Sequence, residues 1–146
     1  MKKLSVLILS AIVLFSCSKK EKHEEKSGDW KELEEFHKIM AKVYHPLKEE
    51  ENLEPAKKLM SQLADEADKW SVAELPEKVN TPAMKEKLTR LKTDARTLAD
   101  EITKGASDEI IKEKLNQLHE EFHEIRKTWA SSRESEDEDK DEDENH

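Results

Sequence analysis

Residues 81–105 read TPAMKEKLTRLKTDARTLADEITKG, and this stretch decides the fold class. Thr81 is a favoured N-cap residue, Pro82 suits the first helical position, and Gly105 is a typical helix stop. Between them, apolar residues recur at alternating spacings of four and three, which places them on one helix face. They are Met84, Leu88, Leu91, Ala95, Leu98 and Ile102. The stretch therefore predicts an amphipathic helix that packs against partners.

Three further helices are predicted by the same signals. The first begins at Asp29, with Glu32 completing a capping box, and is disturbed by Pro46 near its end. The second has Pro55 in its first turn, and the fourth is capped by Ser107. Their apolar faces comprise Leu33, Phe36, Met40, Val43 and Leu47 in the first, Leu59, Leu63, Ala67 and Trp70 in the second, and Ile111, Leu115, Leu118, Phe122, Ile125 and Trp129 in the fourth. Strands are not expected, because glycines and β-branched residues are few.

Short connections make successive helices antiparallel neighbours. Residues 29–131 are therefore predicted to form an all-α, antiparallel up-down-up-down four-helix bundle, with the first helix beside the fourth. An extended coiled coil is the alternative, but three interruptions disfavour it. Residues 132–146 are dominated by Asp and Glu and predict a disordered acidic tail that solubilises the chain or attracts cations or a partner. The net charge of −9, without a clustered basic face, argues against nucleic acid binding.

The N-terminus has the layout of a secretory signal in residues 1–16. Lys2 and Lys3 precede an apolar run over 4–15 that is too short to cross a bilayer as a stable helix. The sequence Leu14-Phe15-Ser16-Cys17 then resembles a bacterial lipobox, in which cleavage leaves Cys17 lipidated. This resemblance implies a cell-envelope lipoprotein on a flexible tether of residues 17–28, with Ser18 favouring the outer membrane. An ordinary signal peptide with an incidental cysteine is the alternative, and no particular protein partner is indicated.

Four of the six histidines lie in the first and fourth helices of the predicted bundle. His119 and His123 are one turn apart, close enough to chelate one ion. His37 is as far from the start of the first helix as His123 is from the end of the fourth. The two histidines therefore lie at the same level if these helices pack antiparallel. His45 lies two turns beyond His37, so both cannot bind that ion in a continuous helix. The compact predicted site is His37, His119 and His123, with Met40 adjacent and His45 optional.

Imidazoles without thiolates suit Zn²⁺, Cu²⁺ or Ni²⁺, so transition-metal binding by a non-catalytic lipoprotein is the leading hypothesis. At 100° per residue, His37 and His119 flank the apolar faces, His123 is farther round, and His45 points to solvent. Such positions suit an ion near the surface better than a buried haem. In the alternative, a structural or interaction lipoprotein, the histidines are ordinary surface residues and Met40 belongs to the core.

Three short segments carry a further resemblance: Leu33-Glu34-Glu35-Phe36-His37, Glu121-Phe122-His123-Glu124 and Thr81-Pro82-Ala83-Met84-Lys85. They are similar to segments of the soluble b-type cytochromes of the four-helix-bundle kind, relatives of the cytochromes c′. The resemblance implies the same bundle and, as an alternative function, electron transfer through haem b. His37, in place of the family's methionine, and His123 would then be the axial ligands, with Met40 as the fallback for His37.

Cys17 is the only cysteine, which excludes an intramolecular disulfide, a thiolate zinc site, thiolate catalysis and covalent c-type haem. The chain also lacks a Gly-rich phosphate loop, an HExxH motif and a nucleophile elbow, so no enzyme is predicted. The sequences Glu34-x-x-His37 and Glu120-x-x-His123 do fit the spacing of di-iron carboxylate bundles. The second and third helices offer no inward glutamate to complete such a site.

Overall fold

The computed structural model describes residues 30–134, which form four α-helices, one 3₁₀ turn and no strand. Helix α1 spans Lys31–Glu50, α2 Glu54–Val72, α3 Pro82–Thr103 and α4 Asp108–Glu134, with the 3₁₀ turn at Glu77–Val79. The prediction of an all-α chain is confirmed for this part of the sequence. The predicted lipidation site at Cys17, the cap at Asp29 and residues 135–146 of the acidic tail lie outside the described residues.

The helices pack as a bundle around one apolar core. Helix α1 contacts α2 and α4, and α3 contacts the same two helices. Near the start of α1, the Trp30 ring lies 5.5 Å from that of Trp129, near the end of α4. Farther along α1, the hydroxyl of Tyr44 donates a hydrogen bond to Asn116 Oδ1, earlier in α4, at 3.0 Å. This order of contacts is compatible with antiparallel packing of α1 and α4.

The predicted apolar faces supply most of the core. All the residues predicted for α1 and α4 are buried, as are those of α3 except Ile102, which is partly buried. In α2, Leu63, Ala67 and Trp70 are buried as predicted, and the difference lies near the start of the helix. Met60 is buried and Leu59 only partly so, because Met60 continues the three-and-four spacing through Leu63 and Ala67 to Trp70.

Helix α1 continues through Pro46, where the sequence predicted a disturbance. A proline there removes the hydrogen bond to the carbonyl one turn earlier. Burial of Tyr44 and Leu47 on either side holds the last turn in place. The helix ends instead at Glu50, and the next residue, Glu51, has a left-handed φ of 52° and donates its N–H to the Leu47 carbonyl at 3.1 Å.

The other helix ends follow the predicted caps closely. Thr81 Oγ1 accepts the N–H of Met84 at 3.2 Å, and Gly105 adopts a φ of +86° after α3. The Ser107 hydroxyl lies 3.5 Å from the N–H of Ile110, which makes it a weak cap for α4. Helix α4 continues past the predicted boundary at residue 131 to Glu134.

Candidate metal-binding site

His119 and His123 lie one turn apart on α4 and face each other through the same ring atom. Their Nε2 atoms are 3.1 Å apart, and their ring centroids are separated by 4.3 Å. Two nitrogens that each lie about 2.0–2.1 Å from one ion, at angles of roughly 90–110°, are about 2.9–3.4 Å apart. The 3.1 Å contact is a hydrogen-bond distance between the two rings, and the same length also lies within the range of two ligands of one metal ion.

Tyr44 fixes the ring of His119 from the neighbouring helix. The two rings stack almost parallel, with centroids 3.6 Å apart and planes inclined by 10°. The Tyr44 hydroxyl is held by Asn116 Oδ1, and the Asn116 side chain in turn donates to the Lys112 carbonyl at 2.8 Å. This packing leaves only 18% of the His119 side chain exposed, so its orientation is set by α1 and α4 together.

Tyr44 was not among the residues predicted for the site. A signal was present, because Tyr44 falls four residues after Met40 and eight after Phe36, beside the apolar face of α1. Helical side chains lean toward the N-terminus of their helix, so Tyr44 covers the turn before its own Cα. That lean carries its ring to the level of His119.

The His119 imidazole is held in its neutral form. Burial first, and then the charge of His123, lower the pKa of His119 to about 4, with smaller effects of the same sign from His45, His37 and Lys48. A metal binds the unprotonated imidazole, so protons compete poorly for this ligand at neutral pH.

The second ring nitrogen of His119 is buried without a hydrogen-bond partner. The nearest carboxylate oxygen, Glu120 Oε1, lies 4.0 Å away, beyond hydrogen-bond distance. When Nε2 holds a metal, Nδ1 carries the proton and needs an acceptor. Glu120, on the adjacent position of α4, carries the carboxylate that lies closest to this nitrogen among the ion pairs of His119.

His37 and His45 lie nearby but are engaged elsewhere. The His37 ring stacks on Phe122, with centroids 5.3 Å apart, and burial followed by the charge of Arg126 lowers its pKa. His45 is 61% exposed, and its Nδ1 lies 3.8 Å from Glu49 Oε1. Within residues 30–134, no three His, Cys, Asp or Glu side chains converge as a metal site. The structure thus joins His119 to His123 and leaves the predicted third ligand, His37, as a neighbour.

Packed rings fill the interior beside this site. Phe122 lies 5.4 Å from Phe36 and 6.3 Å from Trp70, measured between ring centroids. Met40, predicted as a possible adjacent ligand, is 1% exposed and belongs to the same apolar core. The histidine pair therefore sits at the edge of the core, with His119 partly buried and His123 exposed.

A second titrating side chain, Glu121, lies on the opposite flank of α4. It was not among the residues predicted from the sequence. Burial first, and then the hydrogen-bonded Asp94 carboxyl of α3, raise the pKa of Glu121 to about 7. Arg90 and Gln117 oppose this shift. Burial and the nearby Asp94 carboxyl thus favour a neutral Glu121 at the α3–α4 contact.

Replacing Glu121 with glutamine is expected to stabilise the protein above pH 7. The folded pKa of about 7 exceeds the ordinary 4.5, so the stability contributed by the neutral form is complete below pH 4.5 and lost as the pH rises through 7. After a discount for solvent screening, the gain at pH 8 is about 1 kcal/mol. Urea unfolding at pH 8 and pH 5 measures it. The exposed Glu113→Gln is the control, and an equal change in both variants would contradict the raised pKa of Glu121.

Comparisons with known proteins give no relative from which to infer a role. No family model matches this chain, and searches of the curated proteins and of the solved structures find no match. Among residues 30–134, none of the helices combines the length and the hydropathy needed to span a bilayer. The function of the protein is therefore inferred from the geometry of the histidines and from the N-terminal sequence.

Proposed function

We propose that this protein is a non-catalytic, lipid-anchored helical bundle that binds a transition-metal ion through His119 and His123. The observation that carries the proposal is the 3.1 Å separation of the two Nε2 atoms on one helix. The stacked Tyr44 supports it, because a ligand whose rotamer is already fixed loses little conformational freedom on binding. The neutral state of His119 supports it as well.

The ligand atoms limit the choice of metal. Two imidazole nitrogens with no thiolate suit Zn²⁺, Cu²⁺ and Ni²⁺ better than Ca²⁺ or Mg²⁺, which prefer oxygen ligands. The abundance of Asp and Glu, in a chain of net charge −9, attracts divalent cations without selecting among them. We therefore take Zn²⁺ as the first ion to test.

The wider arrangement is proposed from the sequence together with the helix contacts. The bundle is taken as antiparallel up-down-up-down, which the order of contacts between α1 and α4 supports. Lipidated Cys17 would hold it at the outer membrane of a bacterial envelope through the tether of residues 17–28. The acidic residues after α4 would form a solvated tail.

Haem binding is ranked below metal binding. A porphyrin placed between His37 and His123 would have to displace Phe122, which is buried against His37, Phe36 and Trp70. Filled cores are costly to open, because removing packed rings loses their contacts and leaves a cavity. An ion bound at the outer edge of α4 requires no such rearrangement.

A zinc titration of the full chain in a mild non-ionic detergent tests the proposal. We expect the parent to bind zinc chloride in isothermal calorimetry and His123→Ala to bind about ten-fold more weakly or worse, because one of two chelating ligands is lost. Since His123 is exposed, the substitution should leave the helical circular dichroism spectrum unchanged.

The matched control is His45→Ala, which removes an exposed histidine from α1 and should leave zinc affinity within about two-fold of the parent. Equal binding by the parent and His123→Ala, or no binding by the parent, would refute the proposal. A Soret band that appears when hemin is added would favour the haem alternative instead.

A further inference from the structure

We propose that a second copy of this chain completes the metal site, so that one ion is held by His119 and His123 of two chains. This inference rests on the proposed function and names the partner of the same site. The two chains would associate only when the ion is bound. The reasons are the number of ligands that one chain supplies, their placement and their exposure.

One chain offers half of the ligands that Zn²⁺ takes in a closed site. Structural zinc sites are almost always tetrahedral, with four protein ligands. The His119–His123 pair supplies two nitrogens at 3.1 Å, and no group of three or more His, Cys, Asp or Glu side chains converges in residues 30–134. Two coordination positions on the ion are therefore left to another source.

The nearest histidines of the same chain are poorly placed to fill those positions. His37 is half-buried and stacked on Phe122, so using it as a ligand would break a contact with the core. His45 lies near Glu49 and points toward solvent from α1. Recruiting either one requires a rearrangement that the His119–His123 pair does not need.

The exposure of His123 permits a second chain to approach the ion. His123 is exposed, and the pair lies near the middle of α4, well away from both helix ends. A twofold axis through the ion would bring an identical pair to its other side, which gives four imidazoles in an isologous contact. Each pair would keep the Nε2 separation that it has in the single chain.

Charge makes the association depend on metal. Each chain carries a net charge of −9, so two copies repel one another when no ion is present. A divalent cation bound between two imidazole pairs supplies both the attraction and the specific geometry. Anchoring at a membrane surface, as proposed above, would raise the local concentration of the chain and favour the two-chain complex.

The test is the stoichiometry and mass of the full chain in detergent as zinc chloride is added. We expect saturation at about one ion per two chains in calorimetry, with a doubling of the protein mass in light scattering at that ratio. The chelator EDTA should return the protein to the original mass. His123→Ala should abolish the doubling, while His37→Ala and His45→Ala should retain it.

The outcomes separate this inference from the proposed function. Zinc binding at one ion per chain, with the mass unchanged, would overturn the two-chain site and leave the metal-binding function standing. If His37→Ala or His45→Ala then weakened that binding, the remaining ligands would come from the same chain. Absence of zinc binding by the parent would overturn both proposals together.

Discussion

Replacing Trp70 with alanine is expected to lower the free energy of unfolding by about 3–5 kcal/mol, the largest effect anticipated for a single change. Trp70 is 0% exposed. Its ring centroid lies 5.3 Å from that of Trp30, 5.3 Å from that of Phe36 and 6.3 Å from that of Phe122. One side chain of α2 thus contacts rings of α1 and α4, and a small side chain would leave a cavity between three helices.

Urea unfolding followed by circular dichroism measures this loss. Val72→Ala is the matched control on the same helix, since Val72 is 81% exposed and should change stability by less than about 0.5 kcal/mol. Trp70→Phe should recover a large part of the loss, because it retains a ring in the cluster. A loss below about 1 kcal/mol for Trp70→Ala would show that the ring cluster contributes little to the fold.

The fold is also expected to weaken in acid through His119, by about 1–2 kcal/mol after a discount for the exposed part of the ring. The pKa of this imidazole falls from an ordinary 6.5 to about 4 in the folded chain, mainly through burial and then through His123. A group with a lowered folded pKa stabilises the fold fully above its unfolded pKa. That stability is lost as the pH falls from about 6.5 toward 4.

His119→Phe isolates this effect, because phenylalanine retains the ring that stacks on Tyr44 but cannot titrate. The difference in unfolding free energy between pH 7.5 and pH 4.5 should be smaller in His119→Phe than in the parent by about 1–2 kcal/mol. His45→Phe, at an exposed position, should retain the parent's difference. Identical pH profiles for the parent and His119→Phe would mean that His119 is protonated as easily in the fold as in water.

Most of the helical framework could be predicted from the sequence because it depends on local signals. The three-and-four spacing from Met84 to Leu98 and the cap at Thr81 act within a single helix, and the structure shows both. The continuation of α1 through Pro46 could not be predicted in this way. It depends on burial of Tyr44 and Leu47 against other helices, which outweighs the local cost of proline.

The candidate site was predictable in part. The one-turn spacing of His119 and His123 placed them together, since that distance is set by the helix itself. The stacking of His37 on Phe122 and of Tyr44 on His119 depends on how α1 and α4 meet and on the lean of each side chain. Helical counting fixes the level of a residue along its axis but not which neighbouring ring its side chain meets.

The clustering of the tryptophans has an optical consequence. The chain has three, and Trp30 packs edge to face on both Trp70 and Trp129, so all three indoles occupy one end of the bundle. Their fluorescence therefore reports the joining of α2 and α4 to the start of α1. Tyr44, the chain's only tyrosine, stacks instead on His119 near the middle of α4. The tryptophan signal therefore follows closure of one end of the bundle, and the tyrosine signal follows the histidine pair.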